Sequence, residues 1–139
     1  DNTIGLPEPV SSYSNLDNRV GQLTTWGRTP GINGPLSDPL SYHDVRIITN
    51  QACSEFFPEM VTTDTLCATS VPYDTCYGNS GSPLILNQSD VTTLVGLISF
   101  GGPDCYTLPL GFSRVTGHLD WIADHINSTT GSPSEPTRE

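Results

Sequence analysis

Turn residues cut this chain into short pieces, and that limits what it can become. It carries 13 glycines and 12 prolines among 139 residues, and only 35% of its residues are hydrophobic. The apolar runs between the breaks are short, which suits an all-β domain with many turns better than a helical bundle. A chain of this length fits one domain and can bury a core. No window approaches the 18 or so consecutive apolar residues of a membrane-spanning helix.

The pattern resolves into six short strands and one helix. Arg19 to Trp26, with Val20, Gln22, Leu23 and two threonines, reads as the first strand, after an irregular Pro-, Ser- and Asn-rich lead-in over residues 1–18. A long turn-rich loop runs from Arg28 to Asp38. Ser41 to Thr49 alternates, with Tyr42, Asp44 and Arg46 on one face and Val45 on the other, and predicts the second strand. Asn50 to Phe57 predicts a short helix capped by Asn50 and ended by Pro58. Strands are then expected at Thr65–Ser70, Pro83–Leu86, Thr92–Phe100 and Gly111–Val115, with a turn over Asn87–Asp90. Leu119, Ile122 and Ile126 recur at helical spacing around Trp121, which predicts a helix over 117–126 capped by Thr116. The remainder, 127–139, is Ser-, Thr-, Gly-, Pro- and Glu-rich and reads as a disordered tail. The expected architecture is a six-stranded antiparallel barrel over 19–116 closed by a C-terminal helix.

Charge and cysteines narrow the setting. Fifteen acidic residues face five basic ones, all arginines and all scattered, so nucleic acid and anionic membranes are poor partners. Four cysteines fit a disulfide framework, and the lack of any CxxC pair argues against zinc. Two sequons, at Asn87 and Asn127, are usable glycosylation acceptors in a secreted protein. Together these features predict a secreted, extracellular protein without a metal or other cofactor. The chain opens at Asp1 with no leader pattern, which predicts a processed or cut chain.

The stretch that carries chemistry is Asp74-Thr-Cys-Tyr-Gly-Asn-Ser80-Gly-Ser-Pro83. A serine between Asn and Gly is presented on a tight bend, where its hydroxyl and nearby backbone N–H groups can face one point. Acyl transfer requires that of a nucleophile and its oxyanion hole. The plain alternative is a polar turn ahead of a strand.

Gly78-Asn-Ser80-Gly-Ser-Pro-Leu84 resembles the Gly-Asp-Ser-Gly-Gly-Pro-Leu motif of the chymotrypsin/trypsin-like serine proteases. Other segments resemble the C-terminal half of that family. They are Trp26-Gly27, the strand Ser99-Phe100-Gly101, and the ending from Pro109 to Val115 followed by Trp121-Ile122. The form Gly-Phe-Ser-Arg-Val is similar to arthropod chymotrypsin- and collagenase-like members. The resemblance implies the second barrel of a double-barrel fold. It pairs Cys53 with Cys67 and Cys76 with Cys105. It makes Ser80 the nucleophile, with the N–H groups of Gly78 and Ser80 as the oxyanion hole; one such donor is worth about 2.7–4 kcal/mol. Ser99, Phe100 and Gly101 would pair with substrate backbone, while Asp74, with Thr75 and Tyr77 nearby, floors the specificity pocket and Leu110 narrows it.

Departures from the family pattern are as informative. No segment resembles those that supply the histidine and aspartate of the triad, and His43, His118 and His125 suit surface or packing roles. The resemblance therefore implies a separate N-terminal chain or segment as partner, with protein or peptide substrates and inhibitors. Asn79 stands where active members carry an aspartate that pairs with a new N-terminal ammonium, and asparagine brings no charge to that pairing. This leaves a second expectation, a weak or inactive homologue that acts by binding. Gly21 and Leu86 occupy positions where many members have a third disulfide.

Overall fold

The computed structural model describes residues 3–9, 16–26, 39–70, 80–88, 90–102 and 107–127. Its strands are β1 (Val20–Thr25), β2 (Ser41–Ile48), β3 (Thr65–Ser70), β4 (Pro83–Gln88), β5 (Val91–Gly101) and β6 (Leu110–Arg114). Helix α1 (Asn50–Phe56) follows β2, and a 3₁₀ turn (Val115–His118) leads into α2 (Leu119–Asn127). The strands close into an antiparallel barrel in the order β1-β2-β3-β6-β5-β4. Closure leaves no exposed sheet edge along the paired segments, the usual hazard of a small sheet.

Alternation along the strands builds the core. In β2, Val45 and Ile47 are buried while Tyr42, Asp44 and Arg46 face outward. Leu23, Leu66, Ala68, Leu84, Leu86, Val95 and Phe112 join them from the other strands. A Cβ on Gly21 would stand 3.2 Å from Leu86 Cδ2 and 2.9 Å from the Ile85 carbonyl oxygen. At this pair of positions a leucine fills the space beside a glycine, so contact takes the place of a covalent link. Sulfur chemistry operates at Cys53–Cys67, which are bonded to each other, fully buried, and tie α1 to β3. Cys76 and Cys105 lie outside the described residues.

Several local expectations are corrected. Thr49, not Asn50, caps α1: its hydroxyl accepts from the Ala52 N–H at 3.1 Å. Asn50 faces inward instead, where its Nδ2 donates to the Thr62 carbonyl at 3.0 Å and its Oδ1 accepts from Arg114 at 3.1 Å. Thr116 does not cap α2. It lies within the 3₁₀ turn, and its buried hydroxyl has no hydrogen-bond partner among the described residues. Strand β4 runs on to Gln88, beyond the expected end at Leu86, because Asn87 and Gln88 pair with Thr92 and Val91. Asp90 then makes the turn with φ 66°.

The lead-in is tied to the barrel at two points. Gly5 bridges β5, with its N–H on the Thr92 carbonyl at 2.9 Å and its carbonyl taking the Leu94 N–H at 3.0 Å. Leu16 enters the core cluster. Helix α2 makes the opposite impression. None of its residues is fully buried, and Trp121 and Ile126 are 62% and 60% exposed. Its apolar pattern is therefore only partly answered by this barrel.

Candidate active site

The serine turn is built by strand register. Antiparallel pairing of β4 with β5 sets Pro83 opposite Leu97. Two further hydrogen bonds extend that ladder past the strand: the Ile98 N–H to the Ser82 carbonyl at 3.0 Å, and the Gly81 N–H to the Ile98 carbonyl at 2.9 Å. Gly81 has φ 86°, a left-handed conformation that glycine adopts without steric cost. The chain turns there, and Ser80 is left exposed immediately before it. The turn that presents Ser80 is thus pinned to β5 at the residue just before Ser99.

Strand β5 changes character at that point. Its register with β6 shifts between Ile98 and Phe100, so Ser99 has no β6 partner, whereas Phe100 and Gly101 pair with Gly111 and Leu110. A bulge of this kind redirects a side chain, and Ser99 is exposed. On the other side, the β4 ladder stops at Ile98. Among the described residues, nothing pairs with the β4-facing edge of Ser99–Gly101. An open strand edge next to an exposed serine can accept an extended peptide as an added strand and hold a carbonyl near the hydroxyl.

Phe100 anchors this edge from behind. Its ring meets that of Phe57 edge-to-face at 5.3 Å and lies directly over Gly111, leaving no room for a Cβ there. Leu110 is buried in the core cluster and paired with Gly101 and Ala68. It therefore lines the inner side of the sheet that carries Ser99–Gly101. Gly78, Asp74, Thr75, Tyr77 and Asn79 lie outside the described residues.

The histidines are placed away from a role as base. His43 lies on β2, with Nε2 3.3 Å from Ser41 Oγ, and that hydroxyl donates its proton to the Thr25 carbonyl at 3.1 Å. The Ser41–His43 pair therefore resembles a strand-end clasp rather than a nucleophile and its base. His125 stacks on Trp121 with ring centroids 4.0 Å apart, and its Nδ1 donates to the Trp121 carbonyl at 2.8 Å. His118 is exposed in the 3₁₀ turn.

Sequence reasoning missed the part played by Arg114. It is 1% exposed; its Nε donates to the Thr65 carbonyl at 2.9 Å and its guanidinium to Asn50 at 3.1 Å. Its own N–H meets the Asp64 carbonyl at 2.7 Å. This arginine joins β6, β3 and α1. Its position after Gly-Phe-Ser was the only sequence signal, because arginine is almost never fully buried without partners.

Comparison with known proteins agrees with this geometry. A family model described as Trypsin matches residues 2–122. The chain is 36% identical over 127 residues to Serine protease 1 of Drosophila melanogaster, covering 89% of this chain and 46% of that one. It is 34% identical over 123 residues to Collagenase of Hypoderma lineatum (86% and 45%) and 30% identical over 120 residues to Chymotrypsin of Phaedon cochleariae (86% and 42%). The arthropod character expected from Gly-Phe-Ser-Arg-Val is present among these relatives. The chain spans about half the length of the curated relatives it matches.

Proposed function

The chain belongs to the trypsin family, and from that premise we propose that it supplies the nucleophile and one wall of the substrate cleft of a secreted serine endopeptidase. The observation that carries this reading is the hydrogen-bonded junction of the Ser80 turn with β5 beside the open edge Ser99–Gly101. A peptide aligned on that edge presents its carbonyl to Ser80. Attack by Ser80 Oγ forms an acyl-enzyme and releases the amine half of the peptide, and water then releases the acid half. The N–H groups of Gly78 and Ser80 stabilise the oxyanion. Asp74, Thr75 and Tyr77 shape the pocket for the residue before the scissile bond, Leu110 backs its wall from the core, and the Cys76–Cys105 bridge holds its walls together.

The base and its orienting acid come from a separate N-terminal chain or segment. Two features support this: the relatives are about twice as long, and the apolar face of α2 is left uncovered, with Trp121 and Ile126 exposed. A second reading, a homologue that binds without turnover, is favoured by Asn79 and by the mixed Asp74/Leu110 pocket. One experiment decides between the two. A fluorophosphonate probe applied to the full-length native protein labels Ser80 in the first case, and Ser80→Ala abolishes the label. Absence of label on folded, disulfide-bonded protein overturns the hydrolytic reading.

A further inference from the structure

The hydroxyls of Thr25 and Thr116 are buried and have no hydrogen-bond partner among the described residues. A polar group orphaned in a dry interior is costly, so each calls for a reason. Thr116 lies in the 3₁₀ turn before α2. Thr25 ends β1, and strand register places it beside the serine turn. Gln22 pairs with Ile85 and Leu23 with Leu84. These strands are antiparallel, so each step forward on β1 is a step back on β4, and Thr25 comes level with Ser82, two residues from Ser80. Pairing with β1 ends at Leu84, and Pro83 has no N–H to carry the ladder further. The Thr25 side chain follows Gly21 and Leu23 on the inward face and is 1% exposed. Its backbone is fixed, because Thr25 pairs with Ser41 and its carbonyl accepts from the Ser41 hydroxyl at 3.1 Å. On the far side of β4, Ile98 of β5 holds the turn through Gly81 and Ser82. Among the described residues, no hydrogen bond holds it from the β1 side.

We propose that Thr25 is a positioning residue for Ser80: its hydroxyl donates to the main chain of Ser80–Ser82 and holds the turn from the β1 side, as Ile98 does from β5. The bond is not made in the structure and forms when the turn settles onto Thr25. Thr25 touches no reacting atom and acts through the turn. A hydroxyl on a rigid strand suits that task, since it can fix the direction of a neighbouring peptide group without being rearranged itself. The support it gives needs no charge, and Asn79 brings none to this turn. The inference rests on the reading of Ser80 as the nucleophile.

The test compares Thr25→Val, which keeps the shape and loses the hydroxyl, with Thr25→Ser, which keeps the hydroxyl, in the full-length native protein. Turnover of a peptide amide and hydrogen exchange at the Gly81 and Ile98 amides are both measured. In Thr25→Val, kcat should fall on the order of 10- to 100-fold with KM little changed, the scale of a small misplacement at a reacting group. Exchange at both amides should quicken. Thr25→Ser should restore both readings, and Thr116→Val, which removes the other orphaned hydroxyl, should alter neither. If Thr25→Val does not fold, Thr25→Ala against Thr25→Ser makes the same comparison. Unchanged kcat in the folded variant that lacks the hydroxyl overturns the proposal. Exchange is read whether or not the protein hydrolyses peptides. A wild-type protein that takes no fluorophosphonate label therefore sinks the enzyme reading, while unchanged exchange at Gly81 and Ile98 sinks the role of Thr25 by itself.

Discussion

Two ends of this barrel handle their polar groups in opposite ways. Around α1, β3 and the end of β6, several polar side chains have partners inside the fold. Thr49 caps the helix, Cys53 is bonded to Cys67, and Arg114 reaches the carbonyl of Thr65 and the side chain of Asn50. Around the Ser80 turn, hydrogen bonding stops short. The β4 ladder ends at Ile98, Ser99 is bulged away from β6, and both serines are exposed. In the first region Arg114, Asn50 and Thr49 are matched to donors and acceptors inside the fold. The second retains unmatched backbone groups on a rigid support, which a binding edge needs. Matched and open backbone groups are thus divided between regions of one small sheet.

Substitutions in each region sharpen that contrast. Ser80→Ala has the largest expected effect: on the proposed reading, loss of turnover on the order of 10⁶-fold in kcat, by analogy with nucleophile removal in serine proteases, with no change in the denaturation midpoint. A midpoint shift would mean that the turn also supports the fold. Arg114→Met should do the reverse. It leaves the buried Thr65 carbonyl without the Arg114 donor and removes the bond to half-buried Asn50, costing about 3 kcal/mol of stability, measured by equilibrium denaturation with the disulfides intact. A loss below about 1 kcal/mol would show that the closed corner tolerates an orphaned acceptor.

Gly111→Ala tests the wall between the two regions. A methyl group there displaces the Phe100 ring, with an overpacking cost of about 1–3 kcal/mol. Because Phe100 backs the open edge, kcat/KM on a peptide substrate should fall as well; stability lost with kcat/KM intact would separate the ring from the edge. Thr49→Ala is the mildest change, removing one helix cap for about 1 kcal/mol and leaving hydrolysis untouched. Any loss of activity in that variant would break the division.

Much of the fold was legible because its signals are local. Val45 and Ile47 alternate with Asp44 and Arg46, and such a pattern can bury one face only as a strand. Asn50 misled because asparagine is a good cap in isolation, whereas the tertiary structure turns its amide inward to Arg114 and Thr62, leaving the cap to Thr49. Thr116 misled for a similar reason, since a 3₁₀ turn delays the start of α2 to Leu119. Of the site, Ser80 and Ser99–Gly101 were readable as segments. Their adjacency was implied only by the family resemblance and not by any local pattern, because it depends on β4–β5 register and on a bulge.

The sequence by itself determined the strand periodicity, the turn at Ser80-Gly81 and the family to which the chain belongs, since each is written in residues close together along the chain. Only the tertiary structure decided which backbone groups remain unpaired, how Arg114 is buried, and which apolar side chains of α2 are left uncovered. Those outcomes depend on pairings between distant residues. A carbonyl or a guanidinium has the same chemistry wherever it stands, and its role is settled by the partner that register and packing bring to it.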